Sequence, residues 1–287
     1  MKTILATTDF SDSGRDAAGR AAMLAAQTRA DLAVLHVMNG PSLESLYDFF
    51  ASPAEAEDRL MEEPRRLLED LAEAIHRERG VAASVRVRLG RVVDEIVAEA
   101  ESADLLVLGA RGTSPLRELL LGSTADRALR KRRQPTLIVK RPADTPYRRV
   151  LVPVDFSPGS VQSLRLALRV APDADCTVFH AYDIPFEGSL RLAGVSAERL
   201  AEHRERARLD ALHAMAELIR QAGADPQRFA PHAKSGEASL LILGEAADSD
   251  ADLIVMGKRD RTRLEELLLG STTAHVLAGA HCDVLIT

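Results

Sequence analysis

Apolar residues along the chain fall into short unbroken runs, separated by longer stretches in which they return every three or four positions. ILATT (4–8), LAVLHV (32–37) and LLVLG (105–109) are nearly bare of alternation. Such runs suit strands covered by helices on both faces, and the intervening helical period suits parallel βα units. The pattern predicts strands near 2–8, 32–38, 83–88, 104–109 and 136–140, with helices near 12–29, 55–79, 91–101 and 122–132. It then begins again, with strands near 149–155, 175–181, 228–233, 252–257 and 283–287. The helices of this second round fall near 158–170, 196–222, 237–248 and 270–279.

The recurrence is also written in the residues. GARGTSPLRELLLGST (109–124) returns as GKRDRTRLEELLLGST (257–272), a shift of 148 positions. TILATTDFSDSG (3–14) is answered by VLVPVDFSPGS (150–160), with Asp9 opposite Asp155. A fixed long period of this kind indicates duplication. RPADTPYR (141–148) carries two prolines and reads as a linker between a first domain, 1–141, and a second, 148–287.

Composition narrows the function. A 287-residue chain accommodates two domains, and 46% hydrophobic with 28% charged residues is ordinary for a folded protein. With no Trp and 3% aromatic residues there is little material for a base-stacking platform, and a net charge of −6 disfavours general nucleic-acid or anionic-membrane binding. The start, MKTILATTDFSDSGRD, lacks a signal-peptide pattern, and no run is long enough to span a membrane, so the expected location is cytoplasmic. Cys176 and Cys282 lack metal-type spacing and read as small buried hydrophobes.

Open parallel sheets hold ligands beyond the carboxyl ends of their strands, where the strand order reverses. In the first copy the residues there are Thr7, Thr8 and Asp9, then Val37, then Gly109, Arg111 and Gly112. After nine intervening residues (113–121), Gly122, Ser123 and Thr124 open a helix. Glycine tolerates positive φ and close approach, and the first amides of a helix lack internal partners, so the set suits an anion such as phosphate. Arg111 would add a charged donor. Read alone, Gly-Ser-Thr before a helix is equally an N-cap.

The spacing G-x-x-G, nine residues, G-S/T, with the acidic turns TTDFS and VPVDFS and the strand ending LHV, resembles the ATP-binding class of universal stress proteins. The resemblance covers both halves, as in a tandem protein of that family. It implies two five-stranded parallel α/β domains of the adenine nucleotide alpha hydrolase-like type, each with strand order 3-2-1-4-5. It implies that Asp9 and Val37 hold the adenosine end beside Thr7 and Thr8. Gly109, Arg111 and Gly112 would run beneath ribose and phosphates, and Gly122, Ser123 and Thr124 would grip the phosphates of ATP, ADP or AMP with Mg2+ or Mn2+. It further implies intramolecular pairing of the two domains, with a homodimer possible, and a regulatory stress role without catalysis. The matching second set is Asp155, Gly257, Arg259, Gly270, Ser271 and Thr272, but Asp260 replaces Gly112. A carboxylate within a few ångströms of phosphate costs about 1–4 kcal/mol, so the second site is expected to be weak.

Other features carry less. RALRKRR (127–133) reads either as a nucleic-acid patch or as a solvated helix end. His203, His213, His275 and His281 lack a complete ligand set, and His36 and His180, at matched places, read as structural. LESLYDFFASP (43–53) and its counterpart 184–195 read either as packing over the sheet or as an apolar cover or partner surface. The alternatives to a nucleotide-binding regulator are an enzyme on the same fold or slow ATPase, and a scaffold for an apolar ligand or partner.

Overall fold

The computed structural model describes residues 1–40, 53–112, 121–184, 192–258 and 269–287. Residues 43–52, 185–191, Arg259 and Asp260 therefore lie outside the described residues. The chain divides into two compact units, Met1–Pro146 and Tyr147–Thr287.

In the first unit the order is β1 (Thr3–Thr7), α1 (Asp12–Thr28), β2 (Asp31–Asn39), α2 (Pro53–Arg79), β3 (Ala83–Gly90), α3 (Val92–Ala100), β4 (Leu105–Gly109), α4 (Ser123–Lys131) and β5 (Thr136–Val139). All paired strands are parallel, in the order β3-β2-β1-β4-β5. The second unit runs β6 (Arg149–Pro153), α5 (Pro158–Val170), β7 (Asp175–Tyr182), α6 (Ala197–Gln221), β8 (Phe229–Ser235), α7 (Ala238–Asp248), β9 (Leu253–Met256), α8 (Ser271–Gly279) and β10 (Asp283–Ile286). Its order, β8-β7-β6-β9-β10, is the same plan.

The unbroken apolar runs mark the central strands. Ile4, Leu5 and Ala6 of β1 and Leu105, Leu106 and Val107 of β4 are at most 1% exposed, as covering on both faces requires. With so few aromatic residues, α1 lines the first core with Ala17, Ala18, Ala21, Ala22 and Ala25, which lets the helix lie close to the sheet. Cys176 is buried, and burial pushes its thiol up to about 11, so it behaves as a small hydrophobe.

The segment read as a linker packs against the first unit at its start. Arg20 donates to the Thr145 carbonyl at 2.8 Å and Arg79 to the Ala143 carbonyl at 2.6 Å. The second unit opens with buried Tyr147, whose hydroxyl donates to Asp283 at 2.6 Å.

The basic run 127–133 is largely spent on the fold. Arg130 pairs with Asp126 at 2.9 Å and Lys131 with Asp94 at 2.5 Å. Arg132 is buried, donating to the carbonyls of Ala100 and Ala103, and burial pushes its guanidinium down to about 10. These ties favour the helix-end reading over a nucleic-acid patch.

The strand ending each ladder is braced alike. In the first unit Glu99 of α3 receives Arg86 at 2.8 Å and Arg88 at 2.5 Å from β3. At the matching positions of the second unit, Glu245 of α7 receives His232 at 2.6 Å and Lys234 at 2.7 Å from β8. Charges on an outermost strand also discourage further strand pairing. Desolvation raises both glutamate pKa values, but the bonds from their basic partners outweigh it and hold both below the usual carboxylate range. Their contribution to stability is therefore complete above the ordinary glutamate pKa and is lost as pH falls through the lower folded values. Glu245→Gln should cost about 1–3 kcal/mol at neutral pH and make the loss of stability on acidification shallower. Urea unfolding at neutral pH and at about pH 3 measures both effects.

Candidate functional site

In the first unit the chain runs from β1 out to β2 and β3, then returns to β4 and β5 on the other side of β1. The strand order therefore reverses between β1 and β4, and both strands end on the same rim. The acidic turn leaves β1 there and the glycine loop leaves β4.

The acidic turn is tightly wired. Thr8 N–H donates to the Leu35 carbonyl at 2.9 Å, and the buried Thr8 hydroxyl accepts from Phe10 N–H at 3.0 Å. Asp9 is exposed, and its Oδ1 accepts from Ser11 N–H at 3.1 Å and from the Ser11 hydroxyl. Ser11 in turn caps α1 by accepting from Gly14 N–H at 3.2 Å. Thr7 and Val37 are half-buried at the ends of β1 and β2.

The first turn of α1 presses against the end of β4. A Cβ added to Gly109 would stand 2.7 Å from both the carbonyl and the hydroxyl oxygen of Ser13. The same hydroxyl accepts from Arg111 N–H at 3.2 Å. A Cβ on Gly112 would lie 3.2 Å from Asp9 Oδ2, so the loop passes directly beside the carboxylate. The chain re-enters at Gly122, whose N–H donates to the Ala110 carbonyl at 2.9 Å, leaving 3.3 Å between that oxygen and an added Cβ. None of Gly109, Gly112 and Gly122 has positive φ, contrary to one reason given for glycine here. What these positions need is room.

The N-cap reading of Gly-Ser-Thr holds at its first residue. Gly122 itself is the N-cap of α4, no side chain caps it, and Ser123 and Thr124 already lie within the helix. Among the described residues no side chain caps this helix start, unlike that of α1, where Ser11 caps. Arg111 is exposed at this rim. The structure therefore brings Asp9, Gly109, Arg111, Gly112 and Gly122 together and places Thr7, Thr8, Val37, Ser123 and Thr124 at the bounding element ends. Ser13, which ties α1 to the loop, was missed by the sequence reading. Its signal was the mismatch of Ser13 with Gly159 between the repeats.

The second rim keeps part of this. Gly270 is again an N-cap with no side-chain cap, ahead of Ser271 and Thr272 in α8. Asp155 accepts from Ser157 N–H at 3.1 Å and from the Ser160 hydroxyl at 3.0 Å. Partial desolvation raises its pKa, but these hydrogen bonds prevail and hold the carboxyl below the usual range. With Gly159 in place of Ser13, α5 does not reach Gly257. Among the described residues, a Cβ there would meet only the Thr287 hydroxyl, at 4.0 Å.

Among the described residues no three His, Cys, Asp or Glu side chains gather as a metal site, and no helix is long and apolar enough to cross a membrane.

A doubly wound α/β unit, present twice, defines the class, and comparison with known proteins names it. The sequence pattern of the Universal stress protein family matches residues 1–140 and again 146–287. The chain belongs to that family, with two of its domains in tandem. It is 32% identical over 148 residues to Universal stress protein MJ0531 of Methanocaldococcus jannaschii, covering 49% of this chain and 81% of that one. It is 32% identical over 142 residues to Universal stress protein G of Escherichia coli O157:H7, covering 48% and 99%. A universal stress protein from Archaeoglobus fulgidus shares the fold across 99% of this chain and 97% of its own, with a TM-score of 0.73 at 23% identity.

The two glycines ending β4 and β9 offer a matched test of packing. Gly109→Ala should destabilise by about 1–3 kcal/mol, because Ser13 must move, whereas Gly257→Ala should fall within about 0.5 kcal/mol of the parent. Chemical denaturation of the two variants compares them directly.

Proposed function

We propose that the first unit binds an adenine nucleotide, ATP or its ADP and AMP relatives, and that the chain acts as a nucleotide-responsive stress regulator without dedicated chemistry. The observation that carries this reading is the juxtaposition at one rim of a helix start at Gly122, without a side-chain cap among the described residues, with Gly112 beside the Asp9 carboxylate. Helix-start amides and the positive end of the dipole favour phosphate, and the tight passage of the loop lets a ligand approach the backbone. The Ser123 and Thr124 hydroxyls and the Arg111 guanidinium are further donors for the phosphates. Asp9, with Val37 beyond it, serves the nucleoside end, where a carboxylate can accept from hydroxyl or amino groups. These residue types fit the group. A divalent ion, Mg2+ or Mn2+, would accompany the nucleotide through its phosphates and offset their charge.

The second unit is proposed to bind weakly or not at all. Asp260 introduces negative charge in the loop sequence, and the contact from the start of α5 to Gly257 is missing. The regulatory role rests on membership of the family.

Gly112→Asp tests the reading by importing the second unit's residue. The new side chain would start 3.2 Å from Asp9 Oδ2 and enter the phosphate path. Affinity for ATP with magnesium should fall at least about fivefold, the lower end of a 1–4 kcal/mol like-charge penalty. Equilibrium dialysis of nucleotide-stripped protein measures it, and unchanged affinity would refute the phosphate path.

A further inference from the structure

Phe10 and Phe156 follow the two acidic residues, and both hold a left-handed backbone, with φ of 64° and 60°. Non-glycine residues rarely adopt this conformation, and a bulky side chain there is costly unless its surroundings enforce it. The surroundings are the same in both units. The Phe10 ring lies 4.5 Å from the His36 ring, tilted by 34°, and Phe156 lies 4.3 Å from His180, tilted by 45°. Each imidazole also bonds to the backbone just before the acidic residue. His36 Nδ1 donates to the Thr8 carbonyl at 2.8 Å and His180 Nδ1 to the Val154 carbonyl at 2.7 Å. One histidine thus grips both sides of the acidic residue, through the preceding carbonyl and through the following ring.

The arrangement persists where the neighbouring wiring does not. Thr8 becomes Val154, Ser13 becomes Gly159 and Gly14 becomes Ser160, yet the Phe–His contact, the imidazole bond and the positive φ all remain. The clamp is therefore independent of the hydroxyls around it.

We propose that His36 and Phe10 are positioning residues, a clamp that holds the acidic turn strained and in place so that Asp9 faces the ligand before it arrives. This rests on the proposal that the first unit binds an adenine nucleotide. The clamp's contribution is preorganisation, since a turn already fixed loses less freedom on binding.

Phe10→Gly separates positioning from stability. Glycine adopts this φ without strain, so the fold is retained while the ring contact and the rigidity are lost. Titration of nucleotide-stripped full-length chain with ATP and magnesium should show affinity about tenfold weaker, equivalent to about 1.4 kcal/mol, while circular dichroism shows an unchanged folded signal. His36→Asn places an amide donor near the Nδ1 position and should recover part of the affinity that His36→Leu loses. If the parent binds and Phe10→Gly and His36→Leu bind equally well, the clamp is structural only and the inference is overturned. If the parent itself fails to bind, the nucleotide reading falls first and the clamp's binding role falls with it.

Discussion

The approach of the first turn of α1 to the end of β4 is the contact on which the site depends. Ser13 lies so near Gly109 that no side chain fits between them, and its hydroxyl takes the next free amide of the loop, that of Arg111. Without that contact the acidic turn and the glycine loop would be separate features on neighbouring strands. With it, Gly112 passes Asp9 and the chain returns at Gly122 to start α4 beside its own exit point. An alanine-rich α1 is part of the same solution, because small side chains let the helix lie close to the sheet. Burial within the fold thereby produces the geometry at the rim.

Duplication shows which parts of this design are general. Both units keep the parallel order, the brace from a helix glutamate to two basic residues of the outermost strand, the imidazole bond and the uncapped glycine helix start. Differences run throughout the two units, and some fall at the rim. Ser13 and Gly112 of the first unit are Gly159 and Asp260 in the second. Conserving the scaffold while changing the contacts is the behaviour expected when function resides in a site carried by a fold.

Much of the fold was legible because its physics is local. Strands covered on both faces leave unbroken apolar runs, and the helices between them return their apolar residues every three or four positions. The candidate site was legible in its glycines and carboxylate, though not for the right reasons throughout. Gly109 was expected to serve partly through positive φ, and it serves through the room it leaves for Ser13. Positive φ falls instead on Phe10 and Phe156, and the His36 and His180 rings that pack on them lie far along the chain. Ser13 escaped for the same reason, as its partner Gly109 lies far along the chain.

The central claim is that one of the two units holds nucleotide. Calorimetric titration of nucleotide-stripped chain with ATP and magnesium reads this directly as stoichiometry. The account predicts one site per chain, abolished or weakened by changes in the first unit and indifferent to Gly257→Ala. Two equal sites, or none, would contradict it.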